Sequence, residues 1–380
     1  MALAAVVFFS SLAFSVYTLA GYPLLLALVA RRGRPVRRGA GLKTVSIILP
    51  VRNGERWIGA KLDSILNLDY PRELLEILIV SDGSTDRTDE IVRAFPPHAG
   101  LRFFSIPAGG KARALNAGLA EATGEILFFT DVRQALDPAA LRRLVECFFD
   151  PEVGVASGEL VILDGTTHEE ASTGLYWRYE KWIRKYLSAV DSVPGATGCI
   201  YAMRRALAQP LPAGTINDDM YLPLAAFFRG YRVILDESAR AYDQPTALDV
   251  EFRRKVRTLG GVYQIVRYFP ALLGPSNRMW LHFVSHKLAR LLLPYPLLAM
   301  AVSAWWLPGW FRSAALLAQA VFYALALADL ALPDRFPLKR LSSPARAFVV
   351  LMAASLAAIV VFFVPGQRLW KQTRLPEAGR

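Results

Sequence analysis

Ile79-Val-Ser-Asp82-Gly-Ser-Thr-Asp86 is the stretch on which the fold turns. The run that leads into it, Leu74–Val80, is short, apolar apart from Glu76 and rich in β-branched side chains, so it reads as a buried strand. The strand ends in two acids that bracket Gly-Ser-Thr. Asp86 stands where an acid would cap a helix predicted over Thr88–Phe95. A cap uses one acid and leaves Asp82 over. Two carboxylates at the carboxyl end of a strand are equipped to hold a base, a ribose or a metal-bound diphosphate.

The same pattern repeats on either side. Val45–Leu49 reads as a buried strand and runs into the polar loop Pro50-Val-Arg52-Asn53-Gly-Glu55, with helical spacing over Ile58–Leu68. Further on, Leu101–Ile106 is extended, Lys111–Ala122 helical, and Glu125–Thr130 a strand that delivers Asp131-Val-Arg133. Strands alternating with helices predict an α/β domain with a mostly parallel sheet and right-handed crossovers. Ligands of such sheets sit at the carboxyl ends of the strands. The polar residues after three of these strands therefore converge on one crevice. A carboxylate at the sheet's edge, such as Asp131, suits Mg2+ or Mn2+ set against a diphosphate.

The chain around this domain is too apolar for an ordinary soluble protein. It has 380 residues, of which 54% are hydrophobic and 20% charged. Globular domains run at about 45–50% apolar. A soluble domain joined to membrane helices satisfies both figures. Residues Ala2–Ala30 carry no charged side chain, enough for a bilayer span. Arg31, Arg32, Arg34, Arg37 and Arg38 follow at once. A signal peptide carries its charge before a shorter core, so an uncleaved anchor is the better reading. Positive charge stays inside, which places residue 31 onward in the cytoplasm. Three further spans are predicted at Leu291–Trp310, Ser313–Ala328 and Ala347–Val364. Gly261–Phe283 mixes aromatic residues with Arg267, Arg278 and His282, as helices lying in the headgroup region do. Four spans would put the basic tail outside, against the charge rule, so the C-terminal topology stays open. The expected organisation is a transmembrane helix at 1–30, the α/β domain at 43–260, interfacial helices at 261–287, about three spans at 288–367 and a basic tail at 368–380.

The net charge of +12 is read as residues flanking spans plus a phosphate-handling site, rather than as a nucleic-acid surface. Cys147 and Cys199 match no zinc pattern and suggest no disulfide framework. His98, His168, His282 and His286 show no metal spacing.

Taken together, these segments resemble the family 2 glycosyltransferases with the GT-A fold, over roughly residues 45–260. Pro50-Val-Arg52-Asn53-Gly-Glu55 looks like the family's opening nucleotide-binding loop, and Ser81-Asp82-Gly-Ser-Thr-Asp86 like the motif whose acids contact the base and diphosphate region. Gly110-Lys111-Ala-Arg-Ala-Leu-Asn116 is similar to the Gly-Lys…Ala-Leu-Asn segment. Thr130-Asp131-Val-Arg133 sits in the place of the Asp-X-Asp metal motif, with Arg133 where the second acid would be. Asn217-Asp218-Asp219 resembles the Glu-Asp pair whose aspartate is the catalytic base. Arg254-Lys255-Val-Arg257 stands in the place of the Gln-X-X-Arg-Trp motif of membrane members, without its Gln and Trp.

The resemblance implies an inverting transfer from a nucleotide sugar, a UDP-sugar first of all, to a lipid-linked or glycan acceptor, in cell-envelope or exopolysaccharide synthesis. In a single displacement the base sits opposite the leaving group and comes from a separate segment, a role given to Asp219. Pro50, Arg52, Asn53, Glu55, Asp82, Asp86, Lys111 and Asn116 are expected to line the donor site. Lys255 and Arg257 either steady the departing diphosphate or form a basic helix facing anionic lipid. Asp131 is the metal acid for Mg2+ or Mn2+. Because Arg133 replaces its partner, the metal has fewer protein ligands or Arg133 itself neutralises phosphate. Gly195-Ala196-Thr197-Gly198 and Asp218 are expected to line the acceptor site, and Tyr176, Trp177, Tyr179 and Trp182 either stack on sugars or form a core stripe. The expected setting is a bacterial inner membrane with the catalytic domain cytoplasmic. The competing readings are a small processive polysaccharide synthase and a catalytically silent membrane scaffold. The donor sugar, linkage and oligomeric state are not specified by the sequence.

Overall fold

The computed structural model describes residues 1–96, 100–163, 168–244, 248–333 and 336–363, with the backbone alone at 168–177 and 248–251. The chain divides into two compact units. One is Val29–Leu163 with Arg184–Gln244, and the other is Met1–Leu28, Asp164–Ile183 and Pro245–Arg380.

The first unit is built on one eight-stranded sheet. In chain order its strands are β1 Val45–Val51, β2 Leu75–Asp82, β3 Leu101–Ile106, β4 Ile126–Phe129, β5 Ala135–Leu136, β6 Val153–Ile162, β7 Tyr201–Arg204 and β8 Arg232–Asp243. Their spatial order is β3-β2-β1-β4-β7-β6-β8-β5. The first four are mutually parallel, in register Ile47↔Ile77, Ile47↔Phe128 and Ile79↔Phe103. β7 runs against both β4 and β6, and β5 against β8. The four strands read from the sequence are thus the parallel half, and the rest of the sheet is mixed.

The inner strands β1, β2 and β4 are buried on both faces, so β1 shows no alternation and all seven of its residues are buried, while the edge strand β3 is only half-buried. The Ile58–Leu66 helix turns Ile58, Lys61, Leu62 and Ile65 to the core at helical spacing. The Lys111–Glu121 helix lays Ala112, Ala114, Leu115 and Gly118 on β1 and β2. A Cβ on Gly118 would lie 2.7 Å from Ile48 Cγ2, so glycine is what lets this helix approach the sheet. The chain passes from β1 outward to β2 and β3, then returns to place β4 on the other side of β1. That reversal makes a topological switch point beside β1, where open α/β sheets bind ligands.

The second unit holds the apolar helices. Among the described residues three are long and apolar enough to cross a bilayer: Ala2–Ala30, Gly309–Ala328 and Lys339–Phe362. The expected span Leu291–Trp310 is not one straight helix. Trp280–Leu292 and Pro294–Trp306 meet at a 53° bend, so among the described residues the candidate spans are three, or four if this bent pair is one. Pro294 has no N–H to donate and its ring crowds the preceding turn, which breaks the helix there. The region expected to lie at the headgroups comprises the end of the Leu248–Tyr268 helix and the short turns Pro270–Leu273 and Trp280–Phe283. The basic tail at 368–380 lies outside the described residues.

Candidate active site

The loops leaving β1 and β2 are laced to each other. Asn53 takes the left-handed backbone conformation at φ 51°, which asparagine tolerates better than most residues. Its side-chain oxygen accepts from Thr85 N at 2.7 Å, and its own N–H donates to Ser84 Oγ at 3.1 Å. Glu55 N donates to Asp86 at 3.1 Å, and Arg87 N donates back to Glu55 at 3.0 Å. Asp86 also accepts from Thr88 N at 3.0 Å. Burial works against the Asp86 carboxylate, but these hydrogen bonds prevail and hold it below its ordinary range. Asn53, Glu55 and Asp86, read as donor-site residues, therefore shape the crevice wall through one another.

Asp82, 3% exposed, does the same for the opposite wall. Its oxygens accept from Gly109 N at 2.7 Å and Gly110 N at 2.9 Å, and Arg52 stands 3.9 Å away. Gly110 has φ 91°, a conformation that favours glycine, and it opens the helix bearing Lys111. Asn116 sits farther along this helix and brackets Leu211, donating to its carbonyl at 2.9 Å and accepting from its N–H at 2.8 Å.

Lys111 is the centre of the site. Its ammonium lies 2.9 Å from Asp131 and 3.2 Å from Asp218. Burial opposes its charge, yet Asp131 and Asp218 overcome that and raise it above the ordinary lysine range. Asp218 and Asp219 open the Asp218–Phe228 helix, where the dipole favours acids. Burial is the largest influence on both and raises both. Asp219, with the Asp218 charge beside it, is pushed from 3.8 up to about 6.

The Gly195–Gly198 segment wraps the same aspartate. Ala196 N donates to the Asp219 carbonyl at 2.7 Å, and a Cβ on Gly198 would lie 3.1 Å from Asp219 Oδ2. The sequence reading missed what holds this loop. Arg184 donates to Thr197 Oγ1 at 2.9 Å, Ser157 Oγ at 3.1 Å and the Gly195 carbonyl at 3.3 Å. Nothing in the local pattern of the 168–190 helix marks Arg184, since its partners lie on a distant strand and loop. Tyr201, fully buried, stacks on Phe129 at 4.5 Å, and its hydroxyl has no hydrogen-bond partner among the described residues. Lys255 and Arg257 lie on the Leu248–Tyr268 helix of the other unit. Tyr179 also belongs there, its hydroxyl donating to the Leu19 carbonyl at 3.1 Å, while Tyr176 and Trp177 fall where only the backbone is described.

Asp131, paired with Lys111 but with its side chain still 38% exposed, is an acid that could hold a divalent cation. Arg133 forms an ion pair with the buried Asp243, which also accepts from Gln134 Nε2 at 2.7 Å. The charge of Arg133 is therefore matched within the protein. Among the described residues no group of three or more His, Cys, Asp or Glu side chains stands at metal-holding distance. One hard carboxylate oxygen fits Mg2+ or Mn2+ of the kind held by one or two acids together with substrate phosphates and water.

The sheet, with its acids, lysine and glycine loops gathered at a switch point, is of the GT-A type. In comparison with known proteins, residues 46–211 match the model described as Glycosyl transferase family 2. The chain is 26% identical over 261 residues to the probable glycosyltransferase YdaM of Bacillus subtilis, covering 60% of this chain and 58% of that one. It is 33% identical over 116 residues to the poly-beta-1,6-N-acetyl-D-glucosamine synthase of Staphylococcus epidermidis, covering 30% and 28%. The chain thus spans less than two thirds of these curated relatives. The solved mannosyltransferase PcManGT of Pyrobaculum calidifontis, in complex with GDP-Man and Mn2+, is 25% identical with a TM-score of 0.72, over 97% of this chain and 100% of that one.

Proposed function

We propose that the protein is an inverting glycosyltransferase, moving one sugar from a nucleoside-diphosphate sugar to a lipid-linked or glycan acceptor at a membrane. One observation carries this reading. The raised carboxylate of Asp219 lies in the same cluster as Lys111 and Asp131, so an acid fit to take a proton stands beside groups fit to receive a diphosphate.

In the transfer, the acceptor hydroxyl oxygen bonds to the anomeric carbon as the bond from that carbon to the diphosphate oxygen breaks. The hydroxyl proton passes to Asp219, whose ionisation near 6 matches a base working at neutral pH. The leaving diphosphate takes the bonding electron pair, and Lys111 offsets its charge. A divalent cation, Mg2+ or Mn2+, would be held by Asp131 and would supply further positive charge against the diphosphate. Asp82 holds the Gly109–Gly110 turn before Lys111, and the Asn53–Asp86 lacing fixes the wall for the nucleotide. Gly195–Gly198, packed against Asp219, is assigned to the acceptor, as is Asp218. Lys255 and Arg257 are assigned to the diphosphate.

The three apolar helices favour a lipid-linked acceptor, and the Arg31–Arg38 cluster favours a cytoplasmic domain on a bacterial inner membrane. The GDP-Man bound by PcManGT places GDP-mannose beside UDP-sugars among donors to test. The similarity to a poly-N-acetylglucosamine synthase supports a second reading, a small processive synthase. Protein in nanodiscs, given each donor with Mg2+ or Mn2+ and a lipid extract, distinguishes them by mass spectrometry and NMR of the product. One added sugar of inverted anomeric configuration is expected. A ladder of lengths supports the synthase, and retained configuration overturns the single displacement.

A further inference from the structure

Lys61 belongs to none of the motifs. It lies on the core face of the Ile58–Leu66 helix and is 2% exposed. Its ammonium donates to Thr130 Oγ1 at 2.7 Å and to the Gln134 carbonyl at 2.6 Å. The Thr130 hydroxyl in turn donates to the Cys199 carbonyl at 2.9 Å. One buried cation thus grips both ends of the Thr130–Gln134 loop, which carries Asp131. Through Thr130 it also reaches the chain leaving Gly195–Gly198.

Among the described residues no carboxylate forms an ion pair with Lys61. Burial lowers it to about 8, against the pull of Cys199 and Asp131. Taking an ammonium from water is costly even after relaxation, and apolar replacements of buried charges are often neutral or stabilising. A methionine of similar length would fill this space without that cost. The charge is best explained by something beyond packing, and what it touches is the metal-acid loop.

We propose that Lys61 is a positioning residue for the donor: it sets the Thr130–Gln134 loop so that Asp131 is placed to hold the cation that accompanies the diphosphate. This rests on the donor reading above. It acts through Thr130 and Gln134 and touches no substrate itself.

The test compares full-length wild type, Lys61→Met and Thr130→Val in nanodiscs. Three quantities are read: thermal midpoint, Mn2+ binding in the presence of GDP or UDP by electron paramagnetic resonance, and donor KM against kcat. Lys61→Met is expected to melt near the wild type, the relieved burial of a charge set against the Gln134 carbonyl left without this donor. Its Mn2+–nucleotide affinity should fall roughly 10–100-fold, as on loss of an outer-shell partner, with the change mainly in donor KM. Thr130→Val keeps the charge and loses one grip, so a smaller fall is expected. A lower midpoint with unchanged Mn2+–nucleotide affinity in Lys61→Met would make the lysine a packing element and overturn the proposal. If Lys61→Met does not fold, unchanged affinity in Thr130→Val overturns it. A wild type that binds no Mn2+–nucleotide overturns the donor reading instead.

Discussion

Asp219→Asn should remove transfer and, at neutral pH, make the protein more stable. Burial first, then the neighbouring Asp218 charge, raise Asp219 from 3.8 to about 6. That is roughly two pH units, or about 3 kcal/mol against the folded carboxylate. The unfolded chain ionises near 3.8 and the folded chain near 6. Asp219 therefore favours the folded state fully below its unfolded value, and this contribution is lost as pH rises through the folded one. Asparagine never ionises, so relative to wild type its gain is absent below about pH 4, grows between pH 4 and 6, and reaches up to about 3 kcal/mol at pH 7. Thermal midpoints of both proteins at pH 7.5, 6 and 4.5 read this directly. The wild-type rate gives a second readout, because the base must be ionised to act. At pH 5 roughly a tenth of molecules would carry the carboxylate, and kcat/KM should fall accordingly. An Asp219→Asn protein that still transfers, or that melts below wild type at pH 7.5, would refute the reasoning.

Gly198→Val should lower kcat by about a hundredfold with donor KM unchanged, because even a Cβ there would sit 3.1 Å from Asp219 Oδ2 and move the base. Steady-state kinetics on both substrates checks it. Asp82→Ala leaves the Gly109 and Gly110 N–H groups without their acceptors, and should raise donor KM by about fivefold or more and speed hydrogen exchange at both amides. Arg133→Ala leaves the Asp243 charge buried without its cation. It should destabilise the protein by about 3 kcal/mol, seen in denaturation, with the metal requirement of transfer unchanged.

The parallel half of the sheet was legible because its information is local. Val45–Leu49 is a short, largely apolar run, and Asp82 and Asp131 each lie one residue beyond another such run. β6 to β8 were harder to read. β7 is only four residues long, and it pairs with strands far away in sequence. The site was legible as motifs, and Asp131, Lys111, Asp218 and Asp219 do meet. What holds them was not. Lys61 and Arg184 act through partners 69 to 73 residues and 11 to 27 residues away, respectively, and a lysine or arginine in an amphipathic helix has the appearance of a surface residue. The bend at Pro294 was visible in the sequence as a proline, but an apolar window averages over a single missing N–H.

The most direct measurement is acceptor-dependent release of nucleotide by the purified full-length protein in nanodiscs, with GDP- and UDP-sugars, Mn2+ and a membrane lipid extract, beside Asp219→Asn. Release that requires the extract, occurs with one donor and disappears in Asp219→Asn is the predicted result. Equal release by wild type and Asp219→Asn would contradict the assignment of the base, and no release or binding with any donor would contradict the transferase itself.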